Sequence, residues 1–305
     1  MSIKYHIPDF LRHFHLNILL ADYMKKYPER FYDDITIGSV YGTFPTSLWN
    51  GGRYFEGTVD KRIISEVLKQ FNQRWIPCRF TFTNPLLTEE HLSDPFCNYV
   101  MKTANNGLNE VIVASDLLED YIRKTYPRYK ITSSTCKQIE DYEKLCTELD
   151  KPYSLVVLDY NWNNNFEFLE KMPQKEKIEI LINACCMPNC PRRGEHYRTI
   201  GENHIKYAEF KKKFPNGQFK CPEFKCDQQI LHLYQTTGYS THVKPGDIYE
   251  KYVPMGFENF KIEGRSTPDI NVLENYIYYM AKPEWKDTVR LELLLSLTKK
   301  YKYFM

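Results

Sequence analysis

The sequence has no apolar run approaching the roughly 18 residues that mark a membrane-spanning helix, so no membrane partner is expected. Neither sign of charge is in excess: 41 Lys and Arg against 39 Asp and Glu leave a net charge of +2, which gives no global pull toward nucleic acid or anionic lipid. The opening residues, Met1 to Phe10, lack a basic segment followed by an apolar one and lack a small-residue cleavage site. They are not read as a secretory signal, and a reducing cytoplasm is expected. Also missing are a Ser–His–Asp order, a His-Glu-x-x-His helix and a glycine-rich phosphate loop, so those chemistries find no support.

Cysteine is present and unevenly placed. Five of the nine cysteines lie between Asn183 and Cys226. Cys185, Cys186 and Cys190 share a turn with Pro188 and Pro191, and Cys221 and Cys226 flank a second turn containing Pro222. In a reducing compartment, clustered cysteines point to metal or redox work rather than to staples. Four thiolates close a tetrahedral zinc site or hold an iron–sulfur cube, and ligands close in sequence come at little loop-closure entropy. The expected ligands are Cys186, Cys190, Cys221 and Cys226, with Cys185 as the alternative. Disulfides, or buried thiols acting as small apolar side chains, are the structural alternatives.

With 305 residues, 42% hydrophobic and 26% charged, the chain has the balance of a soluble globular protein. Its length suits one α/β barrel of about 250 residues with insertions. Residues 1–34 read as an N-terminal helical segment, because Phe10, Phe14, Ile18, Leu19, Tyr23 and Met24 recur at helix spacing. From Ile35 on, short β-branched runs alternate with helix-length stretches. The runs are 35–41, 76–83, 110–114, 130–134, 154–159, 177–183, 238–243 and 259–263. Eight of them predict a single-domain (β/α)8 TIM barrel over 35–305, with a Cys-rich, irregular insertion at 184–237 after the sixth strand. Polar loops follow the fifth and sixth strands on the C-terminal rim, where barrel enzymes place their sites.

On that rim, Glu263 and Arg265 at the end of the last strand read as substrate-binding or proton-handling groups, or as an internal ion pair. Asp159, Asn161 and Asn163 suit a polar substrate or a cation, or plain turn chemistry. Arg53 suits a two-pronged clamp on carboxylate or phosphate, or a surface salt bridge. His196 suits a fourth or substitute metal ligand, a proton donor or, as favoured, an ordinary loop histidine, and the run Lys211, Lys212, Lys213 with Lys206 suits a local binding patch or, more often, a solvated face.

Gly256-Phe-Glu-Asn-Phe-Lys-Ile-Glu-Gly-Arg265 resembles the Lys-Ile-Glu-Gly-Arg signature of the collagenase-like peptidase family. That family also contains iron–sulfur proteins for oxygen-independent hydroxylation in ubiquinone synthesis and for tRNA and rRNA hydroxylation. Further stretches are similar in the same order: Tyr41 and Gly42 with Gly51-Gly-Arg53, Asn84, Gly107 to Asp116, Tyr126 to Thr135, and Ile178 to Cys186. The resemblance covers about residues 35–270. The chain departs from the family in having Cys136 in place of Gln, Asn183 in place of His-Gly, and its own cysteine spacing.

The resemblance implies a [4Fe–4S] enzyme that oxidises or hydroxylates an aromatic small molecule or an RNA base, served by an electron donor or partner subunit. In that reading Glu263, Arg265 and Asp159 are catalytic, and Arg53, Asn84 and Asn161 hold substrate. A barrel pinned by zinc that only binds its ligand, and a collagenase-like peptidase, are the alternatives.

Overall fold

Eight short strands pair side by side, all parallel, in the order in which they occur, and the last returns to the first. The computed structural model describes residues 2–222, 224–226, 233–265 and 267–301. The strands are β1 Ile3–Pro8, β2 Ile35–Gly42, β3 Cys78–Phe82, β4 Glu110–Val113, β5 Lys130–Ser133, β6 Leu155–Val157, β7 Ile178–Leu181 and β8 Asn259–Lys261. The eight-stranded (β/α)8 barrel expected from the sequence is present, and seven of the eight expected runs overlap its strands, but one strand was misplaced. The first strand lies inside the stretch read as helical, and 238–243 is a series of turns.

The reason lies in the alternation of β1. Tyr5 and Ile7 point outward into the helical shell, where the Tyr5 hydroxyl meets that of Tyr249 at 2.8 Å, while His6 points into the lumen. Asp9, at φ 54°, then breaks the chain direction, and its carboxylate accepts the N–H groups of Leu11 and Arg12. Only after this turn does helix α1, Phe14–Lys26, begin. The apolar residues at helix spacing therefore belong partly to a strand and partly to a helix.

Helices follow the strands as the rhythm predicts. They are α2 Lys61–Asn72, α3 Pro95–Thr103, α4 Asp116–Thr125, α5 Tyr142–Asp150 and α6 Phe166–Lys171. The carboxylates of Asp60, Asp94 and Asp141 cap α2, α3 and α5. The Cys-rich insertion comes after β7, the sixth strand of the sequence reading. It is not irregular throughout: it contains α7, Arg193–Lys213, the longest helix described. Residues 223 and 227–232 of the expected insertion lie outside the described residues. Two helices complete the shell, α8 Asp269–Met280 and α9 Lys286–Tyr301. Among the described residues no helix is long and apolar enough to cross a membrane.

The apolar core lies between strands and helices, with Phe10, Phe44 and Phe80 in mutual ring contact and Phe82 stacked on Phe80. The lumen is filled differently. Barrels of this kind pack branched apolar side chains in layers, yet here Arg79 on β3 spans the lumen to Glu179 on β7 and also bonds Glu110 at 2.7 Å. Lys261 on β8 reaches Glu179 at 3.2 Å, and the His6 ring bonds Ser39 at 2.8 Å and Asn259 at 3.3 Å. Burial and the Arg79 charge push the His6 ring down to about 3, so it is neutral. Burial alone would raise the Glu179 carboxyl, but Lys261 and Arg79 outweigh it and hold the group well below the usual carboxylate range. A charged plug thus closes the barrel beneath the rim.

Candidate functional site in the barrel mouth

Alternation along β8 and its extension carries Lys261, Glu263 and Arg265 on one side, climbing from the plug to the mouth. Both upper residues are held by the loop after β2, Glu263 also by the segment after β7 and Arg265 also by β3. Glu263 pairs with Arg53 from the loop after β2, and its other oxygen accepts the backbone N–H of Cys185 at 2.9 Å. The Asn183 side chain, bonded to the backbone N–H and C=O of Glu263 at 2.6 and 3.0 Å, locks the strand end. Arg53 and Glu263 were thus found as residues by sequence, and the structure joins them as a pair.

Arg265 makes a different set of contacts. Its guanidinium donates to the Thr81 hydroxyl at 2.7 Å, to the Asn50 side-chain oxygen at 3.3 Å and to the Gly51 carbonyl at 3.1 Å. All three are neutral oxygens, and no carboxylate pairs with Arg265 among the described residues. Burial works against its charge, as does Arg53 beside it, while Tyr41 and Asp9 favour it. The loop is held close by Gly51, where a Cβ would lie 2.3 Å from the Thr83 carbonyl oxygen, so only glycine fits.

Asp159 is buried and gripped by Arg193, the first residue of α7, while also accepting the Asn161 N–H at 3.0 Å. Arg193 lies 4.6 Å over the Tyr160 ring. Sequence reasoning missed Arg193, because the segment was read as loop and its partner is 34 positions away. Asn161 bonds Glu140 at 3.1 Å and accepts the Asn189 N–H at 2.9 Å, so it pins the first cysteine turn. Asn84 is fully buried, with its amide donating to the carbonyls of Leu48 and Gly201 at 2.7 and 3.0 Å. Its oxygen accepts the Leu86 N–H, so it ties α7 to the β3 loop and does not face the mouth. His196 lies on α7 rather than in a loop. It stacks on Phe224 with centroids 4.4 Å apart, and burial pushes it down to about 4.

The cysteines line this rim without a common centre. Cys186 packs on Tyr160, Leu181 and Ala184. Burial and the neighbouring Glu263 push the Cys185 thiol well up. The Cys190 carbonyl accepts the Arg193 N–H at the start of α7, and the Cys221 thiol points at the Pro222 carbonyl at 3.5 Å, close to Tyr54. Cys185, Cys186 and Cys226 all act electrostatically on the Tyr239 hydroxyl. None of the nine cysteines forms a disulfide. Among the described residues no three His, Cys, Asp or Glu side chains are gathered as a metal ion would require. Cys186, Cys190, Cys221 and Cys226 are thus not drawn to one centre among the described residues.

No family model matches the chain. It is 22% identical over 202 residues to an uncharacterized protease of Methanocaldococcus jannaschii, a stretch that takes in 65% of this chain and 57% of that protein. The chain thus matches little more than half the length of this relative. In structure it is similar to the U32 peptidase Mk0906, with a TM-score of 0.51 and 12% identity, covering 88% of this chain and 95% of that one. That likeness is one of fold.

Proposed function

We propose that the barrel mouth is an enzyme site for a peptide-like substrate bearing a carboxylate, a reading supported by the similarity to an uncharacterized protease and, in fold, to a U32 peptidase. The observation that supports this reading is Arg265, a guanidinium that faces the mouth and bonds only neutral oxygens. A guanidinium stays charged and presents a fork that matches a carboxylate. An incoming anion supplies the counter-charge that this half-buried cation lacks. Arg53 and Glu263 then flank the bound molecule. Hydrolysis of a peptide bond is the reaction that the relatives' names suggest, and Glu263 is the group here to accept the proton of an attacking water. A cysteine–histidine couple is not part of this reading, since burial raises the Cys185 thiol and lowers His196 to about 4.

Calorimetry with an N-acetylated dipeptide tests it. The wild-type chain is expected to bind the free-acid form at least tenfold more tightly than the C-terminal amide, and Arg265→Gln is expected to abolish that preference. Equal binding of acid and amide by the wild type sinks the reading.

A second reading rests on the five cysteines that lie between Asn183 and Cys226, none of them in a disulfide. In it, Cys186, Cys190, Cys221 and Cys226, with Cys185 as the alternative, draw together around an iron–sulfur cluster or zinc, and the chain oxidises or hydroxylates its substrate without oxygen. Protein purified without air is then expected to be brown and to carry stoichiometric iron and acid-labile sulfide, or to be colourless with one zinc. Protein with none of these metals above trace levels removes this reading.

A further inference from the structure

The 192–226 stretch carries nine Lys and Arg against four Asp and Glu, a net +5, whereas the rest of the chain has 32 against 35, a net −3. A nearly neutral protein thus concentrates its positive charge in one excursion, and that excursion is rooted in the mouth. Arg193 grips Asp159 at one end of α7. Further along, the His204 ring accepts from Asn50 at 2.7 Å and from the Phe55 N–H at 3.2 Å. The Tyr207 hydroxyl bonds both the N–H and the carbonyl of Gly57 at 2.8 Å. Asn50 and Gly51 belong to the loop that holds Arg265, so the inner face of α7 forms one wall of the proposed carboxylate site.

The outer face and tip are cationic. Lys206 and Lys212 are neutralised by Glu202 and Asp94, and the Lys211 amine is used on the carbonyls of Pro215 and Gly217. Arg198, Lys213, Lys220 and Lys225 are exposed and have no carboxylate partner among the described residues. The exposed Phe214 ring stands at the tip, 57% accessible and next to Phe210.

We infer that this excursion is a docking surface for an acidic polypeptide, whose spaced carboxylates meet Arg198, Lys213, Lys220 and Lys225 while one carboxylate enters the mouth. The inference rests on the carboxylate-site reading and names its substrate class. Spacing favours a polypeptide over a polynucleotide. A nucleic acid carries a charge on every phosphate and is held by runs of cations, whereas here the exposed cations without a carboxylate partner among the described residues, Arg198, Lys213, Lys220 and Lys225, stand apart along the chain, and Arg192 and Lys206 of the same stretch are already paired with Glu195 and Glu202. An acidic chain with apolar residues between its carboxylates matches isolated cations beside Phe214.

The test uses the whole chain and four ligands at low salt: the N-acetylated dipeptide acid, a neutral 12-residue peptide, the same peptide with four Glu, and a single-stranded 12-nucleotide oligomer. The acidic peptide is expected to bind about tenfold more tightly than the neutral one, with the advantage fading at high salt. The variant R198Q/K213Q/K220Q/K225Q is expected to lose that advantage while binding the dipeptide acid as the wild type does. An acidic peptide no tighter than the neutral one overturns the inference even if the dipeptide binds. So does an oligonucleotide that binds more tightly than the acidic peptide. Failure of the dipeptide to bind the wild type strikes at the carboxylate site itself.

Discussion

Replacing Arg79 by Met is expected to lower the free energy of unfolding by about 3–5 kcal/mol, the usual loss when one member of a buried ion pair is removed. Arg79 is 1% exposed and sits between Glu110 and Glu179, two carboxylates on different walls of the lumen. Methionine fills much of its volume but leaves Glu179 with Lys261 as its remaining strong cation and leaves Glu110 without its partner. The loss is read from urea unfolding at neutral pH, and a change below about 1 kcal/mol would show that water or a shift of the plug replaces the guanidinium.

The same plug makes the fold acid-sensitive. The unfolded chain takes up a proton on His6 near its ordinary 6.5, while the buried ring resists protonation down to about 3. Below 6.5 the unfolded state therefore binds more protons, and His6 costs up to about 1.4 kcal/mol of stability per pH unit of acidification. Glu179, whose folded value is depressed, acts in the same direction at lower pH. Its contribution is complete above the ordinary carboxylate range and is lost progressively as the pH falls from that range down through the depressed folded value.

Gly51→Ala is the second substitution with a large expected effect. The added methyl would lie 2.3 Å from the Thr83 carbonyl oxygen, 2.5 Å from its carbon and 2.8 Å from the Asn84 nitrogen. These are backbone atoms at the end of β3, and Thr83 and Asn84 are buried, so neither side gives way easily. Displacing the loop also moves the Gly51 carbonyl off Arg265 and Asn50 off both Arg265 and His204. We expect a stability loss of about 2–3 kcal/mol together with loss of the preference for a carboxylate over its amide. Gly238→Ala is the control, because its nearest neighbour, the Gln235 carbonyl oxygen, is 3.8 Å away and accommodates a methyl. Wild-type behaviour in Gly51→Ala would mean that the loop is not held against β3.

The closed eight-stranded architecture was legible because period-two runs and helix-length segments alternate through most of the chain. The position of β1 was not. Six residues with one Pro and a following Asp turn look like the start of the amphipathic helix that comes just after them. The run 238–243 looked like a strand because Tyr239, Thr241 and Val243 alternate with Ser240 and His242, yet only its end, the Val243 N–H on the Ile182 carbonyl, touches the sheet.

Glu263 and Arg265 were singled out as candidates from a short signature whose alternation puts its charged members on one side, and Arg53 from a separate Gly-Gly-Arg stretch. Arg193 was not, since nothing local links it to Asp159. The plug residues His6, Arg79, Glu110 and Glu179 were passed over although β3, β4 and β7 show the signal, a single charged side chain within a buried run; in β1, Lys4 stands near His6 and blurs it. The cysteines were visible as a cluster in sequence. Their directions depend on two turns that sequence alone does not orient.

The closure of the barrel joins His6 to Asn259, 253 positions apart, and the order of pairing runs strictly along the chain. Every neighbouring pair of strands up to β7 forms between segments close in sequence, but the last seam brings together distant ones. The entropic cost of that loop falls on a single step. During synthesis the edges of β1 and β7 remain unpaired until residue 261 has emerged, which is the interval in which this chain is most exposed to wrong strand pairing.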